Sequence, residues 1–157
     1  MAHPIPEGYH SVTPIFVFKD ARKAIDFYKR AFGAEERFVM PGPEGTGIMH
    51  AELKVGDSII MMGEEHPQQA CKSAETLGSS PVGFYLYVEN VDAAFRRAVE
   101  SGATVQMPVE EMFWGDRAGS VNDPFGYNWM LATHTRDLTP EEIREGAKEA
   151  FAKMAGK

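Results

Sequence analysis

Two groups of residues in the sequence carry side chains that could do chemistry, and the first is His50 with Glu52. They alternate with apolar residues such as Met49 and Ala51, as in a half-buried strand, so an imidazole and a carboxylate would share one face. If that face lines a cavity, the two side chains can act as an acid and a base, and they are the candidates for catalysis. If it faces solvent, they are ordinary polar surface.

The second group is the stretch Trp114-Gly-Asp116-Arg117, with Gly119 two residues further on. If the charged side chains of Asp116 and Arg117 are buried, they must form an ion pair, so one interpretation is a structural ion pair beside a turn. The other is that Arg117 reaches a cavity, with Gly119 leaving space beside it. A guanidinium there would suit a carboxylate or a phosphonate. We therefore list Trp114, Asp116 and Arg117 as ligand-binding candidates.

The elements that position these residues follow one order twice. Residues 12–63 are predicted to form strand, helix and three strands, with the helix beginning after Asp20 and ending at Gly33. Residues 82–134 repeat the order at low identity, which indicates two βαβββ modules. Aligning the repeats places Arg117 on the same side of its sheet as the His50 face in the first module.

The remaining segments connect and extend these modules. Residues 64–81 are polar and read as a connector, long enough for a mobile lid. Asp123-Pro-Phe-Gly126 has the composition of a tight turn. Thr139 begins a capping box, so residues 139–155 are predicted to form an amphipathic helix that needs an apolar surface, on the same subunit or on a partner. We predict a single α+β domain over residues 1–157.

Composition limits the classes of function. The net charge of −7, with no basic run, argues against a nucleic acid partner or an anionic membrane face. No apolar stretch approaches the length of a membrane span, and the first residues do not resemble a signal peptide. A single cysteine, Cys71, excludes an internal disulfide and suits a reducing compartment, so we expect a cytoplasmic protein.

Several short motifs, in order, resemble one family. They are Thr-Pro-Ile-Phe-Val-Phe, Ala-Ile-Asp-Phe-Tyr-Lys-Arg-Ala-Phe-Gly-Ala-Glu, Ile-Met-His-Ala-Glu-Leu, Phe-Trp-Gly-Asp-Arg, Asp-Pro-Phe-Gly-Tyr-Asn-Trp and the tail Ala-Thr-His-Thr-Arg-Asp-Leu-Thr-Pro-Glu-Glu. With the two βαβββ modules, they resemble the vicinal oxygen chelate superfamily of glyoxalase I, bleomycin-resistance proteins and extradiol dioxygenases, and its PhnB-like subgroup in particular. The resemblance implies that each sheet curls into a half-barrel and that paired modules enclose a cavity.

The resemblance also implies where a metal would bind in the metal-dependent members. Carried onto this sequence, those four positions are Thr13, Met61, Gly83 and Met130. A divalent transition metal prefers imidazole, carboxylate or thiolate, and none stands there. We therefore expect no cofactor, and a divalent metal would need a non-standard site.

The same four positions also indicate which side chains would line the cavity and contact a ligand that binds without a metal. Strand alternation puts Tyr85 and Tyr87 on the face of Gly83, so both are ligand-binding candidates. Thr13, Met61 and Met130 are candidates for the same reason, since methionine suits a pocket that accepts varied ligands.

Three functions remain open at this point. The first is a small-molecule-binding protein without the usual metal ligands, which could sequester a drug or a metabolite. The second is a lyase, isomerase or dioxygenase that uses His50 and Glu52 or a displaced metal site. The third is an interaction module with a vestigial cavity. Because curved sheets have edges and the resemblance implies shared cavities, we also predict a homodimer.

Overall fold

The computed structural model describes residues 2–156, so the two outermost positions of the predicted domain, Met1 and Lys157, lie outside the described residues. Twelve helices and strands follow one another in the order β1 Ile15–Phe18, α1 Ala21–Phe32, β2 Glu35–Pro41, β3 Ile48–Val55, β4 Ser58–Glu64, α2 Ala74–Leu77, β5 Gly83–Tyr87, α3 Val91–Glu100, β6 Thr104–Glu111, β7 Asp116–Asn122, β8 Asn128–His134 and α4 Pro140–Ala155. This is the predicted α+β fold of two βαβββ modules with a C-terminal helix.

Each module forms its own four-stranded sheet. Sheet A has the strand order β1-β4-β3-β2 and sheet B has the order β5-β8-β7-β6, and neither sheet closes on itself. In both, the outer pair β1–β4 or β5–β8 is parallel and the other pairs are antiparallel. The same topology in both halves confirms the internal repeat.

The helices begin where short polar side chains can cap them. Asp20 accepts a hydrogen bond from the Lys23 backbone at the start of α1, and Gly33 ends that helix in the left-handed conformation. Asn90 caps α3 in the same way. Thr139 and Glu142 form the predicted capping box of α4.

One hydrophobic core holds both modules together. Helices α1 and α3 lie against each other, and Phe16 of β1 packs against Phe84 and Trp129 of sheet B with ring centroids 4.4 and 5.8 Å apart. A hydrogen bond crosses the same core, because the Tyr28 hydroxyl on α1 donates to Asp123 at 2.5 Å.

Asp123 organises the turn that was predicted from its sequence. Its carboxylate accepts hydrogen bonds from the backbone N–H groups of Phe125 and Tyr127 and from the Trp129 indole. Four donors therefore surround one buried carboxylate, which meets the requirement that buried charge be hydrogen-bonded.

The alternation predicted for β3 is wrong at its beginning. Ile48 is buried and Met49 is 54% exposed, the reverse of the expectation. Met49 is an extra residue between the pairs Met40–His50 and Pro41–Ile48, so a β-bulge shifts the pattern by one residue there.

The connector contains regular structure and packed residues. Its second half contains the short helix α2, whose Ser73 and Ala74 are buried. Gly126 lies so close to Ala74 that an added Cβ would be 3.1 Å from the alanine Cβ. This contact fixes the connector to the second module.

No helix within residues 2–156 has both the length and the apolar character needed to cross a membrane.

Candidate functional site

Each sheet has one face covered by helices and one that is not, which we call the open face. Phe16, Phe18 and Leu53 point from sheet A into the common core, and Phe84 and Leu131 point from sheet B into it. Their neighbours in sequence therefore occupy the open faces. The predicted ligand-binding residues Tyr85, Tyr87 and Met130 lie on the open face of sheet B, and Met61 lies on that of sheet A.

A cluster of polar and aromatic residues centred on one carboxylate stands on the open face of sheet B. Its Asp116 side chain is only 2% exposed. It accepts hydrogen bonds from the Tyr85 and Tyr87 hydroxyls at 2.7 and 3.1 Å and from the Trp114 indole at 3.1 Å. His134 stands 2.7 Å away on the other carboxylate oxygen. These five residues are the Asp116 cluster.

The protonation states of the cluster follow from these contacts. Burial alone would raise the pKa of Asp116, but the hydrogen bonds from Tyr85, His134, Tyr87 and Trp114 outweigh it and lower that pKa. Burial, then the bond to Asp116, raises the pKa of Tyr85 to about 12. The hydrogen bond to Asp116 and then the bond to Asp137 raise the pKa of His134. The cluster is thus an ionised carboxylate held by protonated donors.

Gly115 allows the chain to place Trp114 and Asp116 together. Its backbone has a φ of +100°, which favours glycine, and its oxygen accepts hydrogen bonds from the backbone N–H groups of Thr135 and Arg136. The turn between β6 and β7 is thereby tied to the segment that directly follows His134, the last residue of β8.

A groove lies beside the cluster, between the β6–β7 turn and helix α4. It has a volume of about 1050 Å³. Its apolar lining includes Met107, Met112, Phe113, Trp114, Phe151 and Met154. Gly146 brings α4 close to the turn, since an added Cβ would be 3.1 Å from the Phe113 Cβ. Trp114 belongs to both features, so the cluster and this α4 groove adjoin each other.

The helix α4 covers this part of its own subunit, yet none of its residues is buried. Phe151 and Met154 stay 60% and 70% exposed. The predicted amphipathic helix therefore finds only a partial apolar surface within the chain.

The orientation expected for Arg117 is wrong. Its guanidinium forms a bidentate pair with Asp92 of α3, at 2.9 and 2.8 Å, and lies 3.5 Å from Glu111. It therefore points to the helix-covered side of sheet B, away from Asp116, and the two residues do not form the expected ion pair. The bond to Asp92, then the contact with Glu111, raises the pKa of Arg117.

A slip of one residue in the alignment of the repeats explains this error. Met61 and Met130 occupy matching positions, and they pair with Glu52 and Ser120 respectively. Arg117 then corresponds to Met49, whereas the predicted correspondence was with Ile48. In a strand, a shift of one residue moves a side chain to the other face.

Gly119 has a structural task that the sequence did not indicate. A Cβ at this position would lie 2.8 Å from the ring of Phe95 and 2.9 Å from a methyl group of Val109. The space beside Gly119 is therefore taken by helix α3 and is not available to a ligand.

His50 and Glu52 lie together on the open face of sheet A, as predicted, with Nε2 and Oε1 3.2 Å apart. The Tyr9 hydroxyl of the N-terminal arm donates to Glu52 from above the sheet. That bond is the main reason why the pKa of Glu52 is lowered. The arm thus covers the catalytic candidates, a contact that the sequence did not indicate.

The four positions at which the resemblance would place metal ligands do not fit a transition metal. Ile15 and Glu52 stand on either side of Met61 in the sheet, and Tyr85 and Ser120 on either side of Met130, so the groups beside these positions that could bind a metal are the Glu52 carboxylate and the His50 imidazole next to it. The Thr13 hydroxyl donates to the His10 carbonyl. Within residues 2–156, no three His, Cys, Asp or Glu side chains are grouped to hold a metal.

Sequence reasoning missed His134 and Tyr9. His134 is the last residue of β8 and has the same parity as Met130, and extending the alternation by four residues would have placed it on the open face. No comparable pattern pointed to Tyr9, because it lies in an irregular segment.

Comparisons with known proteins agree with this architecture. The model of the Glyoxalase/Bleomycin resistance protein/Dioxygenase superfamily matches residues 10–131. An uncharacterized protein of Mycobacterium tuberculosis is 41% identical over 137 residues, which cover 85% of this chain and 80% of the relative.

Solved structures show the same fold. TioX from Micromonospora sp. ML1 is 26% identical with a TM-score of 0.63, over 83% of this chain and 100% of that one. The PhnB protein of Bacillus cereus has a TM-score of 0.62 at 18% identity, over 79% of this chain and 99% of that one, a likeness of fold alone.

Proposed function

Because this chain belongs to the glyoxalase/bleomycin resistance protein/dioxygenase superfamily, we propose that it is a small-molecule-binding protein whose ligand lies on the open face of sheet B. The observation that carries the proposal is the Asp116 cluster beside the α4 groove. A concave apolar region with a few convergent polar groups is the usual form of a ligand site. Sequestration of a drug or a metabolite would need nothing more than binding.

The side chains of the cluster are held in place before any ligand arrives. The hydrogen bonds that Tyr85, Tyr87 and Trp114 donate to Asp116 hold these three side chains in place. Tyr85 and Tyr87 nevertheless remain 42% and 60% exposed. Fixed aromatic surfaces lose little entropy on binding, which favours affinity. This arrangement supports binding without requiring a reaction.

The alternative is an enzyme that uses His50 and Glu52. The 3.2 Å contact between them favours it. A general base works best when its pKa lies near the operating pH, however, and the Tyr9 bond moves the pKa of Glu52 in the opposite direction. The geometry therefore supports binding more than acid–base catalysis.

A thermal-shift screen tests the proposal, with amphipathic compounds of positive, neutral and negative charge. A ligand at 100 times its dissociation constant should stabilise the protein by about 2.7 kcal/mol. Trp114→Ala should remove the shift, and Arg117→Met, on the other side of the sheet, should keep it. Absence of any shift across all three charge classes would contradict the proposal.

Metal addition separates binding from a metal-dependent enzyme. We expect Ni²⁺, Zn²⁺ and Fe²⁺ to leave the melting temperature unchanged, because Thr13, Met61, Gly83 and Met130 supply no adequate ligand. A rise of several degrees that a chelator and His50→Ala both abolish would show a displaced metal site instead.

A further inference from the structure

The donors of the Asp116 cluster are all directed inward. The hydroxyls of Tyr85 and Tyr87 and the indole N–H of Trp114 point at the same carboxylate oxygen. Both ring nitrogens of His134 face carboxylates, at 2.7 Å from Asp116 and 3.0 Å from Asp137. An incoming molecule therefore meets phenolic oxygens and the faces of aromatic rings, and these groups attract positive charge.

The tyrosine rings are arranged so that one charge can contact both. Their centroids are 5.1 Å apart at an angle of 46°, and both hydroxyl groups point to the buried carboxylate. A cation over aromatic faces is held by the ring quadrupole, and Asp116 and Asp137 together carry one negative charge more than the His134 between them balances.

The adjoining α4 groove is acidic as well. Six glutamates line it, against the two basic side chains of Arg136 and Lys153, and these glutamates are Glu110, Glu111, Glu141, Glu142, Glu145 and Glu149. Three of these glutamates form ion pairs, namely Glu111 with Arg117, Glu141 with Arg144 and Glu145 with Lys148. A fourth, Glu142, caps α4.

The other two, Glu110 and Glu149, form no ion pair among residues 2–156. Glu110 stands opposite Ala118, whose side chain belongs to the apolar cluster of this open face, so its carboxylate borders the methionines. The groove thus combines an apolar floor of Met107, Met112 and Trp114 with a rim on which glutamates outnumber basic side chains by six to two.

We propose that the ligand of this site is an organic cation, a protonated amine or quaternary ammonium joined to an aromatic or alkyl body. The body lies on Met107, Met112 and Trp114, and the positive charge lies between Glu110 and the rings of Tyr85 and Tyr87. This inference rests on the proposed function and adds the chemical class of the ligand. The proposed ligand has the opposite charge to the carboxylate or phosphonate that Arg117 suggested in the sequence.

The test uses three compounds that share a skeleton and differ in charge, namely 4-phenylbutylamine, 4-phenylbutanol and 4-phenylbutyrate, at pH 7. Binding is followed by calorimetry and by tryptophan fluorescence. Trp129 is buried in the core, so Trp114 should report the ligand, and Trp114→Phe should remove the signal. We expect the amine to bind at least tenfold more tightly than the alcohol, and the acid to bind most weakly.

Variants separate the charge from the apolar contact. Glu110→Gln should weaken the amine at least threefold and leave the alcohol unchanged, whereas Glu100→Gln on α3, remote from the groove, should change neither. Tyr87→Leu should also reduce the preference for the amine.

Equal or tighter binding of the alcohol or the acid would overturn the cationic class and leave the proposed function standing. Failure of all three to bind would also overturn it, while the wider three-charge screen still decides whether the protein binds small molecules at all.

Discussion

Asp116 and Arg117 are adjacent in the chain and face opposite sides of sheet B, so their substitutions should have different effects. Asp116→Asn replaces a carboxylate that accepts four hydrogen bonds by an amide whose NH₂ group opposes the donors. Leaving buried donors without an acceptor costs about 1–3 kcal/mol, and the tyrosines should lose their fixed positions. We expect both the melting temperature and ligand affinity to fall.

Arg117→Met is the matched control. It removes the pair with Asp92 and keeps the apolar stem of the side chain. Because that pair is largely exposed, we expect a small loss of stability and unchanged affinity. Chemical denaturation and calorimetry measure the two quantities. A tenfold loss of affinity in Arg117→Met at unchanged stability would return Arg117 to the ligand site.

His134 gives the cluster a dependence on pH. Asp116, and then Asp137, raise the pKa of His134 above its usual 6.5. The stabilisation that it contributes is therefore complete below pH 6.5 and is lost as the pH rises through the raised value. The stability difference between the wild type and His134→Gln should accordingly shrink over that interval.

NMR titration of the imidazole checks this directly. The midpoint for His134, assigned by its loss in His134→Gln, should lie above 6.5 and should fall in Asp116→Asn. A midpoint at or below 6.5 in the wild type would contradict the assignment of a charged imidazole between two carboxylates.

Helix α4 depends on one glycine for its position. Gly146→Val adds a branched side chain where a single Cβ already comes within 3.1 Å of Phe113, so the helix must move outward. Valine has a higher intrinsic helix propensity than glycine, so faster exchange cannot be attributed to a weaker helix.

Amide hydrogen exchange over residues 140–155 should therefore become faster in Gly146→Val, and ligand affinity should fall because the groove widens. Ala152→Leu, which exchanges two residues of similar helix propensity at an exposed position of the same helix, is the control and should change neither. Unchanged exchange in Gly146→Val would mean that α4 is not held through this contact.

The elements were predictable from the sequence because their signals are local. Caps at Asp20 and Thr139 and the left-handed glycine after α1 depend on a few neighbouring residues. The faces on which the β7 side chains lie were not predictable. The period of a strand shows only that successive side chains alternate between two faces, and the choice of face depended on aligning β7 with β3 through a weak repeat. Two bulges between β6 and β7 and one at Met49 show how the register shifts without any sequence mark.

The site was predictable only in part for a related reason. Tyr85 and Tyr87 were placed by alternation within one strand, which needs no partner. The groove arises from a helix that follows sheet B and docks on Phe113, a contact between segments more than thirty residues apart. Nothing in either segment alone indicates it.

At the scale of the whole molecule, both open faces carry exposed apolar side chains. Ile15 is 71% exposed and Phe38 is 51% exposed on sheet A, and Tyr87 is 60% exposed on sheet B. Exposed apolar patches of this kind mark contacts with other molecules. We predict a homodimer with two-fold symmetry whose interface includes strands of both modules.

Light scattering at micromolar concentration should give a mass twice the 17.4 kDa of one chain. Ile15→Glu, on the open face, should shift the equilibrium towards the monomer, whereas Val99→Glu on α3 should not. A monomer mass for the wild type would refute the prediction.

The hydrogen bond between Tyr28 and Asp123 has a consequence for how the chain comes apart. It joins a helix of the first module to a turn of the second, inside the core that Phe16, Phe84 and Trp129 share. Neither half can lose its structure without exposing the aromatic surface of the other and breaking this buried hydrogen bond. The two repeats therefore unfold together in a single cooperative transition, although each has its own sheet.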